Sequence, residues 1–105
     1  MTTMSVPKIS KWVYRWESDL NWGLLSEKEQ VEARKKIIRS LEKTLAKALW
    51  MFASMKKNEH FHSYSTIWTE EDSQWWQKYG ALDCLIQLCQ KKIDAYTEIN
   101  AYTAQ

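Results

Sequence analysis

Residues 26–57 read SEKEQVEARKKIIRSLEKTLAKALWMFASMKK, and this stretch decides the fold. Ser26 and Glu29 form a capping box, in which the hydroxyl and the carboxylate each accept a hydrogen bond from an otherwise unpaired amide. Apolar residues then recur at steps of seven, three and four, which is the spacing of helices that pack lengthwise on each other. They are Val31, Ile38, Leu41, Leu45, Ala48, Phe52 and Met55. The stretch predicts one long helix over residues 26–57 with a single apolar seam.

A second long helix is predicted over residues 69–103. Thr69 is a suitable N-cap, and the three acidic residues behind it complement the helix dipole. One apolar seam comprises Trp75, Tyr79, Leu82, Ile86, Cys89, Ile93 and Tyr96. A second seam beside it comprises Ala81, Leu85, Leu88, Ala95, Ile99 and Tyr102. We expect neighbours to cover this helix from two directions, and we attribute Gly80 within it to close helix packing.

A shorter helix is predicted over residues 5–22, N-terminal to the long pair. Ser5 and Pro7 are start signals, apolar residues recur at helical spacing, and Asn21 with Gly23 ends the pattern. The whole chain contains two glycines and one proline, which is too little turn chemistry for a multi-stranded sheet. We therefore predict an all-α fold in one domain over residues 1–105. It is a long antiparallel helical hairpin with the shorter N-terminal helix packed against it, in up-down-up order.

The cysteines and the hydropathy pattern indicate a cytoplasmic location. Cys84 and Cys89 lie roughly 140° apart around a helix, so they should not pair, and free thiols fit a reducing compartment. No stretch is apolar enough for a membrane span, and residues 1–25 lack the pattern of a secretory signal.

Seven tryptophans in 105 residues indicate a binding protein, because a helical domain this small cannot bury seven indoles. Helices of about 32 residues span ~48 Å and the first helix only ~25 Å, so half of the hairpin should lack a third helix. That half is rich in aromatic residues and methionine, a composition typical of adaptable protein-binding surfaces. The predicted protein-binding residues are Trp50, Met51, Met55, Phe61, Tyr64, Trp68 and Trp76. The alternative is that residues 58–68 fold back over this end.

These features predict a non-enzymatic module that binds and modulates a larger protein, as an inhibitor, adaptor or assembly factor. The small size is typical of modulators of host enzymes that phages or plasmids encode, although no residue carries that origin. A homodimer is expected where no partner is present, because two hairpins can cover each other's apolar ends.

Nucleic-acid binding is the alternative function. Lys36, Arg39, Lys43 and Lys47 lie on one side of the second helix and form a basic stripe that could follow a phosphate backbone. Residues 26–58 carry a net charge of +5, whereas residues 59–105 carry −4. Two acidic residues partly neutralise the start of the stripe, and the sequence shows no aromatic or glycine-rich platform beside it. The protein-binding function is therefore preferred.

We predict no metal, no cofactor and no catalytic residue. His60, His62 and Glu59 carry atoms that zinc or nickel can bind, but the cysteines that might complete such a site are more than twenty residues away. Cys89 lies in an apolar seam, and Cys84 has no evident activating base.

Overall fold

The computed structural model describes residues 6–57 and 70–103. Three α-helices occur in these residues: α1 at Lys11–Asp19, α2 at Glu27–Lys57 and α3 at Glu70–Thr103. A short 3-10 helix at Trp22–Leu24 joins α1 to α2. None of the three described α-helices combines the length and the apolarity needed to span a bilayer.

The predicted capping box starts α2. The Ser26 amide donates to Glu29 Oε1 and the Glu29 amide donates to Ser26 Oγ, both at 3.2 Å. The helix then runs for 31 residues to Lys57, as predicted. It begins where the sequence indicates and fills the described residues up to Lys57, because both the cap and the apolar spacing act within this one segment.

Helices α2 and α3 form the predicted antiparallel hairpin. At one end the Arg34 guanidinium donates to Asn100 Oδ1 at 3.3 Å, and near the other end Phe52 stacks on Tyr79 with ring centroids 4.5 Å apart. The start of α2 therefore lies beside the end of α3. The fold class is confirmed: a helical hairpin with a shorter N-terminal helix.

Helix α1 is shorter than predicted. It occupies Lys11–Asp19 instead of residues 5–22, and Val6–Ser10 form a non-helical segment that precedes it. Pro7 disfavours the helical conformation at Val6, and Ser10 takes the N-cap position of α1. Leu20 is extended and ends the helix.

The core consists of two buried clusters along the hairpin. One joins α1 to α2 and α3 and contains Ile9, Val13, Ile37, Leu41 and Cys89. The other, further along α2, contains Ala48, Met51 and Leu82, and Val6 packs against it. The N-terminal segment therefore covers part of the half that was expected to lack a third element. A non-helical chain rises about 3.3 Å per residue against 1.5 Å in a helix, so these few residues reach the second cluster.

The buried side of α2 differs from the predicted seam. Leu41 and Ala48 are fully buried as expected, but the buried row also includes Ala33, Ile37, Thr44 and Met51. Four other seam residues, Val31, Ile38, Leu45 and Phe52, are only half-buried. Since α2 packs against α1 and the N-terminal segment as well as α3, its most buried row lies between these neighbours.

Candidate functional site

The described residues of the predicted aromatic surface have different environments. Trp50 is 61% exposed, and Met55 is half-buried. Met51 is only 7% exposed and packs in the second core cluster, so its side chain belongs to the interior of the hairpin. Phe61, Tyr64 and Trp68 lie outside the described residues, as do His60, His62 and residues 58–68 as a whole.

Trp76 belongs to an aromatic cluster at the start of α3. Its ring meets Trp75 edge-on at 4.6 Å and Tyr79 at 5.7 Å, and Tyr79 in turn stacks on Phe52 of α2. Trp76, a predicted protein-binding residue, is half-buried. Its indole Nε1 is buried and has no hydrogen-bond acceptor among the described residues. A buried indole N–H normally finds an acceptor, so this atom is an unfilled donor at the aromatic end.

The second seam of α3 lies largely at the surface. Leu88 is 40% exposed, Ile99 42% and Tyr102 71%, and Ala81 and Ala95 are exposed as well. Only Leu85 of this seam contacts the core clusters. Helix α3 thus has neighbours on two sides, α2 and α1, but among the described residues most of its second seam stays uncovered. We call Ala81, Leu88, Ala95, Ile99 and Tyr102 the apolar face of α3.

A groove runs between the N-terminal segment and α2. Its volume is about 850 Å³. The segment side is lined by Val6, Pro7, Lys8 and Ser10, and the α2 side includes Ser40, Lys43, Thr44, Lys47, Trp50 and Met51. We call it the basic groove, because three lysines and no acidic residue line it. Ser40 Oγ donates to Ser10 Oγ at 3.5 Å where the segment and α2 meet.

A smaller cavity of about 480 Å³ continues the basic groove past Ser10 and Ser40. Trp12, Trp16, Lys36, Arg39 and Lys43 are among the residues that line it. The Lys36 ammonium lies 5.9 Å from the ring centroid of Trp16, within cation–π range. All four cations of the predicted stripe are exposed and lie along these two openings.

The basic stripe therefore has the aromatic neighbours that sequence analysis did not find. Trp50 follows Lys47 by three residues and continues the stripe along α2. Its position was visible in the spacing, since residues three and four apart share a helix side. The packing of Trp16 beside Lys36 was not visible, because it depends on how α1 docks. The position of Lys8 beside the stripe was not visible either, because it depends on how the N-terminal segment docks.

One polar cluster connects α1 with α3. Lys92 Nζ donates to both carboxylate oxygens of Glu17, at 2.8 and 3.1 Å, and Tyr96 Oη donates to Glu17 Oε2. Burial and then the hydrogen bond to this carboxylate raise the pKa of Tyr96. Burial also raises the pKa of the Cys89 thiol, and the nearby Lys92 charge lowers it by a smaller amount. Cys89 is fully buried, and both thiols are free as predicted. The contacts of Glu17, Lys92 and Tyr96 hold α1 on α3, whereas the exposed thiol of Cys84 lies outside this cluster.

Among residues 6–57 and 70–103, no three His, Cys, Asp or Glu side chains converge to hold a metal ion. The sequence matches no known family model, and comparisons with curated proteins and with solved structures give no significant match. Function is therefore inferred from the surfaces described above.

Proposed function

We propose that this chain is a small non-enzymatic module that binds and modulates a larger protein, as an inhibitor, adaptor or assembly factor. The observation that carries the proposal is the exposed apolar face of α3. The free thiols Cys84 and Cys89 support action in the reducing environment of the cytoplasm.

The apolar face of α3 is long, and Lys92 lies on the same side of the helix, between Leu88 and Ile99. From Ala81 to Tyr102 it extends over about 32 Å of helix, and its members recur at helical spacing. A side chain such as Tyr102, with 71% of its surface exposed, gains little from the packing of its own chain. Exposed apolar surface of this extent on a small protein usually marks an interaction site. A partner helix or groove laid along α3 would provide the second covering that its composition requires.

The aromatic end supports the same proposal. Trp50 and Met55 retain accessible surface, and the Trp76 indole lacks an acceptor in the described part of the chain. The Trp76 Nε1 atom is buried, so a partner carbonyl or carboxylate could satisfy this donor only if the start of α3 rearranges on binding. Phe61, Tyr64 and Trp68 remain predicted contact residues on the same argument from composition. The alternative function, nucleic-acid binding, would use the basic groove instead.

Charge substitutions on α3 test the proposal. Wild type and an L88E/I99E variant first serve as baits in the native cell. A protein that the wild type recovers is then purified, and its affinity for the wild type and for the variant is measured by titration. We expect the variant to lose at least thirtyfold in affinity, which corresponds to about 2 kcal/mol at a hot spot. Trp76→Ala should also weaken the complex. Trp75→Ala should chiefly lower the melting temperature, because Trp75 stacks on Tyr79 at 5.1 Å within the hairpin.

The matched control is Q90E/T97E, which adds the same charges to other exposed positions of α3. It should bind as the wild type does. Equal affinity of L88E/I99E and wild type for the purified partner, with both proteins folded, would contradict the proposal.

A further inference from the structure

We propose that the basic groove binds single-stranded nucleic acid, with the phosphates on the lysines of the N-terminal segment and α2 and a base stacked on Trp50. This activity uses a different surface from the apolar face of α3, so it does not depend on the protein-binding function proposed above.

The charges of the groove are available to a polyanion. Lys8, Lys43 and Lys47 line the larger opening, and Lys36 and Arg39 line its continuation. All five side chains are exposed, and no carboxylate of the described residues forms an ion pair with them. Neither opening has an acidic residue in its lining. Lys8 belongs to the N-terminal segment, and the other four cations belong to α2. Both sides of the groove therefore present positive charge to a bound nucleic-acid strand.

The length of this surface suits a short stretch of one strand. Lys36 and Trp50 are fourteen residues apart on α2, which places them about 21 Å apart along the helix axis. A stacked strand rises about 3.4 Å per nucleotide along its axis, so this distance corresponds to roughly six nucleotides. Sites of about 4–16 nucleotides are usual for proteins that bind single strands.

Trp50 is the feature that favours a single strand over other anions. Its indole is 61% exposed at the end of the cationic row, where a base can stack on it while the phosphates contact Lys43 and Lys47. An acidic peptide would satisfy the lysines but offers no ring to stack. A duplex is disfavoured, because α2 lies between α3 and the N-terminal segment and cannot enter a major groove about 12 Å wide.

Fluorescence anisotropy of labelled dT20 and rU20, between 50 and 200 mM salt, tests the proposal in the full chain. We expect binding that weakens with salt, with a slope of log K against log salt of about −3.5, since each of the five cations neutralises one phosphate and each neutralised phosphate of a single strand contributes about −0.7. K43E/K47E should reduce the affinity at least tenfold. The control R15E/K91E changes the net charge equally at exposed positions outside the groove and should keep most of the affinity.

Trp50→Ala separates stacking from charge. Loss of one stacked base should reduce the affinity roughly 5–150-fold without changing the salt slope. Tyr102→Ala, at an exposed aromatic residue of α3, should bind as the wild type does. Circular dichroism melts verify that each variant folds, and K43Q/K47Q replaces the glutamate variant if the latter does not fold.

Four results would overturn the proposal. They are no binding of either oligomer at 50 mM salt, equal losses in K43E/K47E and R15E/K91E, tighter binding of a duplex of equal length, and equal affinity for poly-glutamate. L88E/I99E should still bind dT20, because its substitutions lie outside the basic groove. Nucleic-acid binding can then fail or succeed independently of the protein binding that this variant tests.

Discussion

Glu17 is the residue that joins α1 most directly to α3. Its carboxylate accepts hydrogen bonds from Lys92 and Tyr96, and the Lys92 ammonium also lies 5.7 Å from the ring centroid of Tyr14. The Glu17 and Lys92 side chains are 22% and 23% exposed, so water screens their attraction only partly. A short helix of nine residues has little stability of its own, and contacts of this kind hold it in place.

We predict that Tyr96 makes stability depend on pH in the alkaline range. Its pKa in the folded state is raised above the ordinary value of 10.0, so the folded state holds this proton more tightly than the unfolded chain does. The resulting stabilisation is complete below pH 10 and is lost as the pH rises above it. Tyr96→Phe should lower the free energy of unfolding by about 1 kcal/mol at pH 7 and should lose less stability than wild type above pH 10.

Urea unfolding at pH 7, 9 and 11 measures this difference. Burial raises the pKa of Cys89 as well, but this thiol is present in both proteins, so their comparison isolates Tyr96. Tyr102→Phe, for which no buried partner exists among the described residues, is the control and should follow the wild type. Identical pH profiles for wild type and Tyr96→Phe would contradict the prediction.

In helix α3 the apolar composition of the sequence agrees less well with the observed packing than in the other helices. Its first seam packs on α2 and α1, its second seam forms the exposed apolar face, and Gly80 lies in its exposed surface. Sequence analysis attributes Gly80 to close packing, and this interpretation is wrong. A Cβ at this position would meet no described atom within 4 Å. Gly80 therefore weakens α3 without a packing reason.

We predict that Gly80→Ala stabilises the protein. Alanine reduces the conformational freedom of the unfolded chain and is favoured in helix interiors by about 0.5–1 kcal/mol over glycine. In a chain of this size the melting temperature should rise by roughly 2–8 °C. Thermal denaturation followed by circular dichroism measures the change. A lower melting temperature in the alanine variant would show that position 80 needs glycine for a contact outside the described residues.

At the scale of the whole molecule, the hairpin presents two different surfaces. The apolar face of α3 has Lys92 beside it but no cation among its own residues, whereas the basic groove contains three lysines and an exposed tryptophan. Surfaces of such different chemistry suit different partners. The apolar face also offers a way for two copies to associate, because each could cover the α3 of the other.

We predict that the isolated protein forms a dimer through the apolar face of α3. Light scattering at micromolar concentrations should give twice the mass of the chain, and L88E/I99E should give a monomer because a charge cannot be buried unpaired in that contact. The variant Q90E/T97E should remain a dimer. A monomeric wild type that also fails to bind a dye for apolar surfaces would show that the face is covered within the chain.

The sequence by itself determined the elements that depend on neighbours along the chain. The capping box at Ser26 and Glu29 starts α2, the apolar spacing carries the helix to Lys57, and the first seam of α3 lies on the hairpin interface. The extent and pairing of the long helices were predictable because their hydrogen bonds and apolar spacing are local, and two long seams of this kind pack best on each other.

Only the tertiary structure decided which of these residues face water. Met51 lies in the core, the second seam of α3 lies at the surface, and Trp16 lies beside Lys36. Each outcome depends on where α1 and the N-terminal segment dock, and Val6–Ser10 dock as a non-helical segment that reaches further per residue than a helix does. Helical periodicity defines the angle of a side chain around its own axis, but it contains no information about which neighbour occupies that angle.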